Sequence, residues 1–282
     1  MPPVVLVLLA ITSVQFGAAI AKTLFDDIGP GGTVFLRMAL GAIVLLILWR
    51  PKVRGVARQH LWLVLGFAVT LAGMNTSFYA ALDRIPQGVA VTLEMVGPLG
   101  VAVFASRRAR DFAWVVLALA GILLLSDFGD FGGLDTTGVA LALLAGAFWA
   151  GYILLSVRAG QVFPGGAGLS LALVAASLLL VPVGVADGGS SLLDPKVLAL
   201  GLAVALLSTA IAYSLELEAL RRLPAGLFGV MMSLEPAAGA LAGYVVGGET
   251  LAGRELVAIG LVVAASAGAA TSAPAPTEPF DV

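Results

Sequence analysis

Leu93-Glu94-Met95-Val96-Gly97-Pro98-Leu99 lies midway along an apolar run from Gln87 to Ser106. A run of about 20 such residues is long enough to cross a bilayer as a helix. A carboxylate at its centre costs roughly 3 kcal/mol or more in hydrocarbon. Pro98 follows Glu94 by one helical turn and removes a backbone donor there. An acid beside a weakened helix makes sense if both face a cavity filled by water or substrate.

The surrounding composition agrees with a membrane setting. Hydrophobic residues make up 60% of the chain and charged residues only 11%, against about a quarter charged in soluble domains. The mean hydropathy is +1.06. Nearly all of the 282 residues belong to apolar runs, so no soluble domain is left over. The chain has no cysteine, which excludes disulfides, thiolate metal sites and cysteine nucleophiles. Its single histidine, His60, sits in a basic loop and cannot build a multi-histidine site. The net charge of -2 says little about partners. The N-terminus is apolar from Val4 without a basic n-region or a small-residue cleavage pattern before Lys22, which reads as a retained helix.

Ten spans are expected, bounded by Gly, Pro or charge: 4–24, 31–49, 61–82, 87–105, 112–127, 137–157, 167–186, 197–218, 226–247 and 252–270. The fifth is short. Asp83-Arg84-Ile85-Pro86 joins the third and fourth. The tail 271–282, with Pro274, Pro276 and Pro279, reads as disordered. Arg50, Lys52, Arg54, Arg58, Arg107, Arg108, Arg110, Arg158, Arg221 and Arg222 fall in loops on one side, ten of the 15 basic residues. The opposite loops hold Arg84, Lys196 and Arg254 but many acids, from Asp26, Asp27 and Asp83 to Asp127, Asp130, Asp135, Asp187, Asp194, Glu249 and Glu255. The positive-inside rule then places both termini in the cytoplasm.

An internal repeat is visible. Ala81-Leu82-Asp83-Arg84-Ile85-Pro86-Gln87-Gly88 resembles Ala219-Leu220-Arg221-Arg222-Leu223-Pro224-Ala225-Gly226, 138 residues on, and Pro98 maps onto Pro236. Five spans per half is an odd number, so the halves are expected in opposite orientation. That is a transporter architecture with substrate at the midplane between them.

The polar residues inside the spans are the candidates for chemistry. Glu94 and Glu235 are central; each is read as a ligand for a substrate ammonium, a proton carrier, or a protonated structural acid. Arg37 lies about 9 Å into span two by helical rise. It can bind a substrate carboxylate bidentately or pair with Asp26, Asp27 or a buried acid. Lys22 shares a face with Gln15 one heptad earlier; Lys22 can snorkel to the interface, while Gln15 lies deeper. Asn75 and Tyr79 share a face of span three, Trp149 and Tyr152 a face of span six, and Thr209, Tyr213 and Glu216 form a stripe on span eight. Such stripes also act as glue between helices, and Trp149 as packing. Glu216 and Glu218 could also meet Arg221 and Arg222. His-Glu-x-x-His, Gly-x-Ser-x-Gly and the potassium-filter pattern Thr-Val-Gly-Tyr-Gly are all absent.

Several stretches carry a family likeness. They are Ser13 to Phe25, Leu93-Glu94 through Gly97-Pro98-Leu99, Ser106-Arg107-Arg108 with Asp111-Phe112, and Trp149-Ala150-Gly151-Tyr152-Ile153-Leu154 with Arg158-Ala159-Gly160. Leu207-Ser208-Thr209-Ala210, Tyr213-Ser214-Leu215-Glu216 and Met232-Ser233-Leu234-Glu235-Pro236 complete the set. In order and spacing the chain resembles the EamA family of the drug/metabolite transporter superfamily, and within it the branch that exports threonine and homoserine. The resemblance implies an all-α polytopic fold of ten helices in two inverted EamA repeats, 1–127 and 137–270. It implies export of small amino acids across the inner membrane, driven by the proton gradient and without a bound cofactor. The expected partners are a small amino-acid substrate, protons and the lipid bilayer, with no nucleic acid. Relatives on the same fold carry other metabolites or drugs, the alternative reading; a membrane receptor or scaffold without transport is a different class. One residue departs from the family pattern: Ala212 stands where a proline precedes Tyr-Ser-Leu-Glu, so this chain lacks that cause for a kink in span eight.

Overall fold

In hydrocarbon every backbone N–H and C=O must be satisfied within its own segment, so apolar runs of this length fold as helices. The computed structural model describes residues 1–51, 58–85, 87–106, 108–125, 135–239 and 253–272. In chain order these form α1 (Pro3–Lys22), α2 (Phe25–Trp49), α3 (Arg58–Leu82), α4 (Gln87–Glu94), α5 (Val96–Ala105), α6 (Ala109–Leu125) and α7 (Thr136–Val162). They continue as α8 (Ala167–Gly188), α9 (Pro195–Ala205), a π-turn (Leu206–Ile211), α10 (Ala212–Leu220), α11 (Ala225–Met232), α12 (residues 234–239) and α13 (Gly253–Ser272). Among the described residues, five helical stretches are long and apolar enough to cross a membrane: Phe25–Trp49, His60–Leu82, Thr136–Val162, Ala167–Leu193 and Pro195–Leu220. Pro3–Ala18, Val89–Ala105 and Leu256–Thr271 are shorter apolar helices.

The helices occupy the expected runs, with local differences. The fourth run is two helices, α4 and α5, parted at Met95. The eighth is interrupted by the π-turn that ends one residue before Ala212, so irregular geometry arises there without a proline. His60 belongs to the first turn of α3, its ring 6.0 Å from that of Phe163, and not to a loop. α13 runs on through Thr271 and Ser272, which the sequence assigned to the tail. Lys52, Arg54, Pro86, Arg107, Asp127, Asp130, residues 240–247, Glu249 and residues 273–282 lie outside the described residues.

The offset of 138 residues can be laid on the element bounds. It carries α4 end to end onto α11, α3 onto α9 through α10, and most of α2 onto α8. α2 packs on α8, α6 on α13, α3 on α7 and α1 on α10. A large apolar cluster fills the middle, including Met38, Leu71, Tyr152, Leu173 and Phe228. The ends differ in charge. One end carries Asp26, Asp27, Asp83, Asp187 and Asp194; the other carries Arg50, Arg158, Arg221 and Arg222. Asp194 caps α9 and Asp135 caps α7 by accepting backbone N–H groups of the first turn.

The break at Met95 is held by close backbone approach. A Cβ on Gly97 would overlap the Gly146 carbonyl oxygen, and one on Gly146 would lie 2.7 Å from the Glu94 carbonyl oxygen. Only glycine at both positions lets α5 and α7 meet this closely. Pro98 cannot donate to the Glu94 carbonyl four residues back. The second break, at Ser233, repeats the arrangement 138 residues later, with Pro236 opposite Met232.

Candidate functional site

The polar candidates converge on one buried arginine. α2 bends at Gly29, whose φ of 67° and ψ of 171° lie where a side chain is strained, and Pro30 then starts the straight part of the helix. Arg37 lies two turns further in and is only 9% exposed. Its guanidinium donates from Nε to Thr209 Oγ1 at 3.1 Å, from Nη1 to the Tyr79 hydroxyl at 3.3 Å and from Nη2 to the Tyr213 hydroxyl at 3.0 Å. The guanidinium carbon also stands 5.9 Å from the centre of the Tyr213 ring.

Each partner is placed by its helix. Tyr79 follows Asn75 by four residues on α3, so both face Arg37. Asn75 Nδ2 donates to the Leu71 carbonyl at 2.8 Å and to the Tyr213 hydroxyl at 3.3 Å. Thr209 is fully buried within the π-turn, whose extra residue turns it toward α2. Ser13 supports that turn by donating to the Leu207 carbonyl at 2.6 Å. Tyr213 and Glu216 follow on α10, and the Tyr152 hydroxyl donates to Glu216 Oε2 at 2.8 Å. The rings of Tyr152 and Tyr213 are 5.4 Å apart.

Two further acids complete the neighbourhood. Glu94, at the end of α4, is 8% exposed, and Glu235, on α12, is partly buried. Both lie within electrostatic reach of Arg37, as does Glu216. Among the described residues, no carboxylate forms an ion pair with Arg37. The alternative partners read from the sequence are engaged elsewhere or lie apart: Asp27 pairs with Lys196 at 3.7 Å. Glu218 meets Arg221 and Arg222, whereas Glu216 turns inward to Tyr152.

The remaining candidates fall around this cluster. Gln15 Nε2 donates to the Glu235 backbone carbonyl at 3.3 Å, so it braces the second break. Trp149 packs in the main apolar cluster. Lys22 closes α1, and its side chain lies outside the described residues. Sequence reasoning passed over Ser13, Gly97 and Gly146, because a lone serine or glycine in an apolar helix carries no pattern of its own. It also passed over Asp187, which accepts the Gly31 N–H at 2.9 Å and ties α8 to the start of α2.

The arrangement has a definite chemical capacity. Three hydroxyls accept from Arg37, and each keeps its own O–H proton to donate. The guanidinium uses three of its five N–H groups on them. A cation nine-tenths buried, ringed by hydroxyls and with no carboxylate paired to it among the described residues, suits a carboxylate of about the size of the fork. Among the described residues no group of three or more His, Asp or Glu is disposed to hold a metal ion. A cavity of about 220 Å³ lies next to the cluster at the acidic end, lined by Pro30, Gly31, Thr76, Tyr79, Asp83 and Asp187 among others. At the basic end Arg221 donates to the carbonyls of Phe163 and Gly165 and so fastens the link between α7 and α8.

Comparison with known proteins adds the family. The sequence pattern of the EamA-like transporter family matches residues 136–271. The chain is 46% identical over 267 residues to the threonine/homoserine exporter RhtA of Escherichia coli strain K12, covering 94% of this chain and 90% of that protein. It is 45% identical over the same shares to RhtA of Salmonella typhimurium. It is 30% identical over 240 residues to the uncharacterized transporter YwfM of Bacillus subtilis strain 168, covering 80% of this chain and 81% of that one. A protein crystal structure with 21% identity superposes with a TM-score of 0.79 over 95% of this chain and 97% of that one, which fixes the shared fold.

Proposed function

This chain belongs to the EamA-like transporter family, and from that premise we propose that it exports small amino acids of the threonine and homoserine kind. It acts as a transporter in the cytoplasmic membrane and performs no reaction on its substrate. The observation that carries the substrate class is Arg37, buried and held by three hydroxyls with no carboxylate paired to it among the described residues. The substrate carboxylate takes N–H groups of the fork and the O–H protons of Tyr213 and Thr209. Glu94 faces the substrate ammonium, which gives both ends of an amino acid an opposite charge. The RhtA relatives are threonine/homoserine exporters, which supports the same substrates.

The drive is the proton gradient, with Glu94 or Glu235 as the carrier. Its support is the placement of these acids beside one cation in an apolar bundle. The architecture is two inverted five-span repeats, 1–127 and 137–270, with both termini in the cytoplasm. Three features support it: the end-to-end correspondence of α4 and α11, the mutual packing of α2 with α8, and the hydrogen bond between Asn75 and Tyr213, themselves 138 residues apart. Residues related by a two-fold-like axis that also touch each other lie on that axis. Substrate sites of inverted-repeat transporters sit at this interface.

The test is uptake of a labelled amino-acid panel into inverted vesicles under an imposed pH gradient. Saturable, gradient-dependent uptake of threonine and homoserine is the expected result. Uptake of drugs or other metabolites alone moves the reading to that class, and no flux of any compound overturns it.

A further inference from the structure

The acidic-end cavity and the Arg37 cluster share one side chain. Tyr79 lines the cavity, and its hydroxyl holds Arg37 Nη1 at 3.3 Å. Its ring is met edge-on by Phe25 at 5.5 Å and by Phe78 at 6.1 Å. Phe25 belongs to the short turn before the Gly29 bend, and Asp187 pins the chain just beyond that bend through Gly31. The ring therefore rests against the turn that precedes the Gly29 bend. The bond that closes this wall is long for N–H···O. A carboxylate is the better acceptor, because its bond to a guanidinium is charge-assisted and about twice as strong as a neutral one.

We propose that Tyr79 is the leaf of a gate between the acidic-end cavity and the Arg37 cluster, closed by its bond to Arg37 and opened when a carboxylate takes that Nη1 hydrogen bond. The Tyr79 hydroxyl stands in for one substrate oxygen. When the substrate arrives it displaces that oxygen, the ring moves off Arg37, and the cavity joins the cluster. When the substrate leaves through the cavity, Nη1 recovers the hydroxyl and the wall reforms. Binding and opening are thereby one exchange of acceptors at one nitrogen. The identity of the displacing carboxylate rests on the proposed function; the barrier itself does not.

The chain has no cysteine, so single thiols report position cleanly. Thr76→Cys places one in the cavity and Thr209→Cys places one on Arg37 beyond Tyr79. A charged thiol reagent is added to oriented vesicles on whichever side labels Thr76→Cys. A hydrogen bond to a charged group shifts an equilibrium by about tenfold or more, so Thr209→Cys is expected to react about tenfold more slowly than Thr76→Cys while Tyr79 is present. Tyr79→Ala, which removes the leaf, brings the two rates together, and the unchanged rate at Thr76→Cys shows that the fold is intact. Tyr79→Phe keeps the ring but loses the latch; it speeds labelling at Thr209→Cys and tightens the apparent affinity for threonine, since no hydroxyl competes for Nη1. Equal rates at the two thiols with Tyr79 in place overturn the gate. So does a slow rate at Thr209→Cys that neither Tyr79 variant changes, or weaker threonine affinity in Tyr79→Phe. If threonine is not carried but the labelling pattern holds, the substrate reading fails and the barrier stands.

Discussion

The break at Met95 and the break at Ser233 use one backbone device to different chemical ends. In each, a short helix stops one residue before the break, and a proline follows the break by three residues, α4 before Met95 and Pro98, α11 before Ser233 and Pro236. At the first break the residue whose carbonyl loses its donor is Glu94; at the second it is Met232, buried in the apolar cluster. The second acid, Glu235, arrives by a different route, one residue before its proline. The support differs too. The first break is covered by glycine backbone from α7, the second by the Gln15 side chain from α1. Two breaks can thus share their helix geometry while their charges differ, so matching backbone at the two breaks does not make Glu94 and Glu235 equivalent.

Exchanging the acids tests this most strongly. Glu94→Gln keeps shape and hydrogen bonding but removes the charge. It is expected to insert normally and to lower gradient-driven threonine accumulation at least about tenfold, the effect of losing one well-placed charge contact. Retained threonine exchange in Glu94→Gln assigns Glu94 to the proton; loss of exchange as well assigns it to the ammonium. Wild-type accumulation in that variant would erase the asymmetry and make Glu235 the acid that matters.

The coverings separate next. Gly97→Ala forces a methyl into the Gly146 carbonyl, where backbone and not a flexible side chain must yield. Overpacking of this kind costs about 1–3 kcal/mol, and the apparent Tm in detergent should fall accordingly. Gln15→Ala removes one hydrogen bond at the second break, worth about 1 kcal/mol, and should lower Tm by less than Gly97→Ala. The reverse order would mean that the side-chain brace holds the bundle more firmly than the glycine contact.

The halves also differ where they begin. α1 opens on Pro3 without a side-chain cap, whereas α7 opens on Asp135. The Thr137 backbone N–H, together with Arg84 and the Gly138 N–H, holds the Asp135 carboxyl below its usual range. A carboxyl whose pKa is lower in the folded state stabilises above its unfolded value, about 3.9, and loses that contribution as pH falls through the folded value. Acidification below about pH 4 should therefore increase hydrogen exchange at the first turn of α7 and leave α1 unchanged. Equal responses at the two starts would remove the cap from the account.

Much of this architecture is written in the chain, and the reasons for the rest are local. Apolar runs flanked by charge locate the helices, because the bilayer admits few other folds. Glu94 before Pro98 marks the first break, since both are costly where they stand. The 138-residue echo around Pro86 and Pro224 marks the stretches that lead into α4 and α11. The sequence also grouped Arg37, Tyr79, Thr209, Tyr213 and Glu216 as candidates, but it left Arg37 between a substrate role and an ion pair with Asp26 or Asp27. Only the fold shows that three hydroxyls from α3, the π-turn and α10 reach it. The π-turn itself has no residue signature, and Ala212 argues against irregularity there. Glycine contacts such as Gly97 with Gly146 depend on a partner 49 positions away, which no local pattern reveals.

The central claim is that the Arg37 fork receives the substrate carboxylate. Arg37→Lys keeps the positive charge but loses the planar, two-toothed geometry. Counterflow of labelled threonine in reconstituted vesicles, compared between the wild-type chain and Arg37→Lys at matched protein content, reads that difference directly. The account predicts an apparent affinity weakened about tenfold or more, with the variant still folded by its Tm. Unchanged affinity in Arg37→Lys would contradict it and leave Arg37 as a structural cation among three hydroxyls.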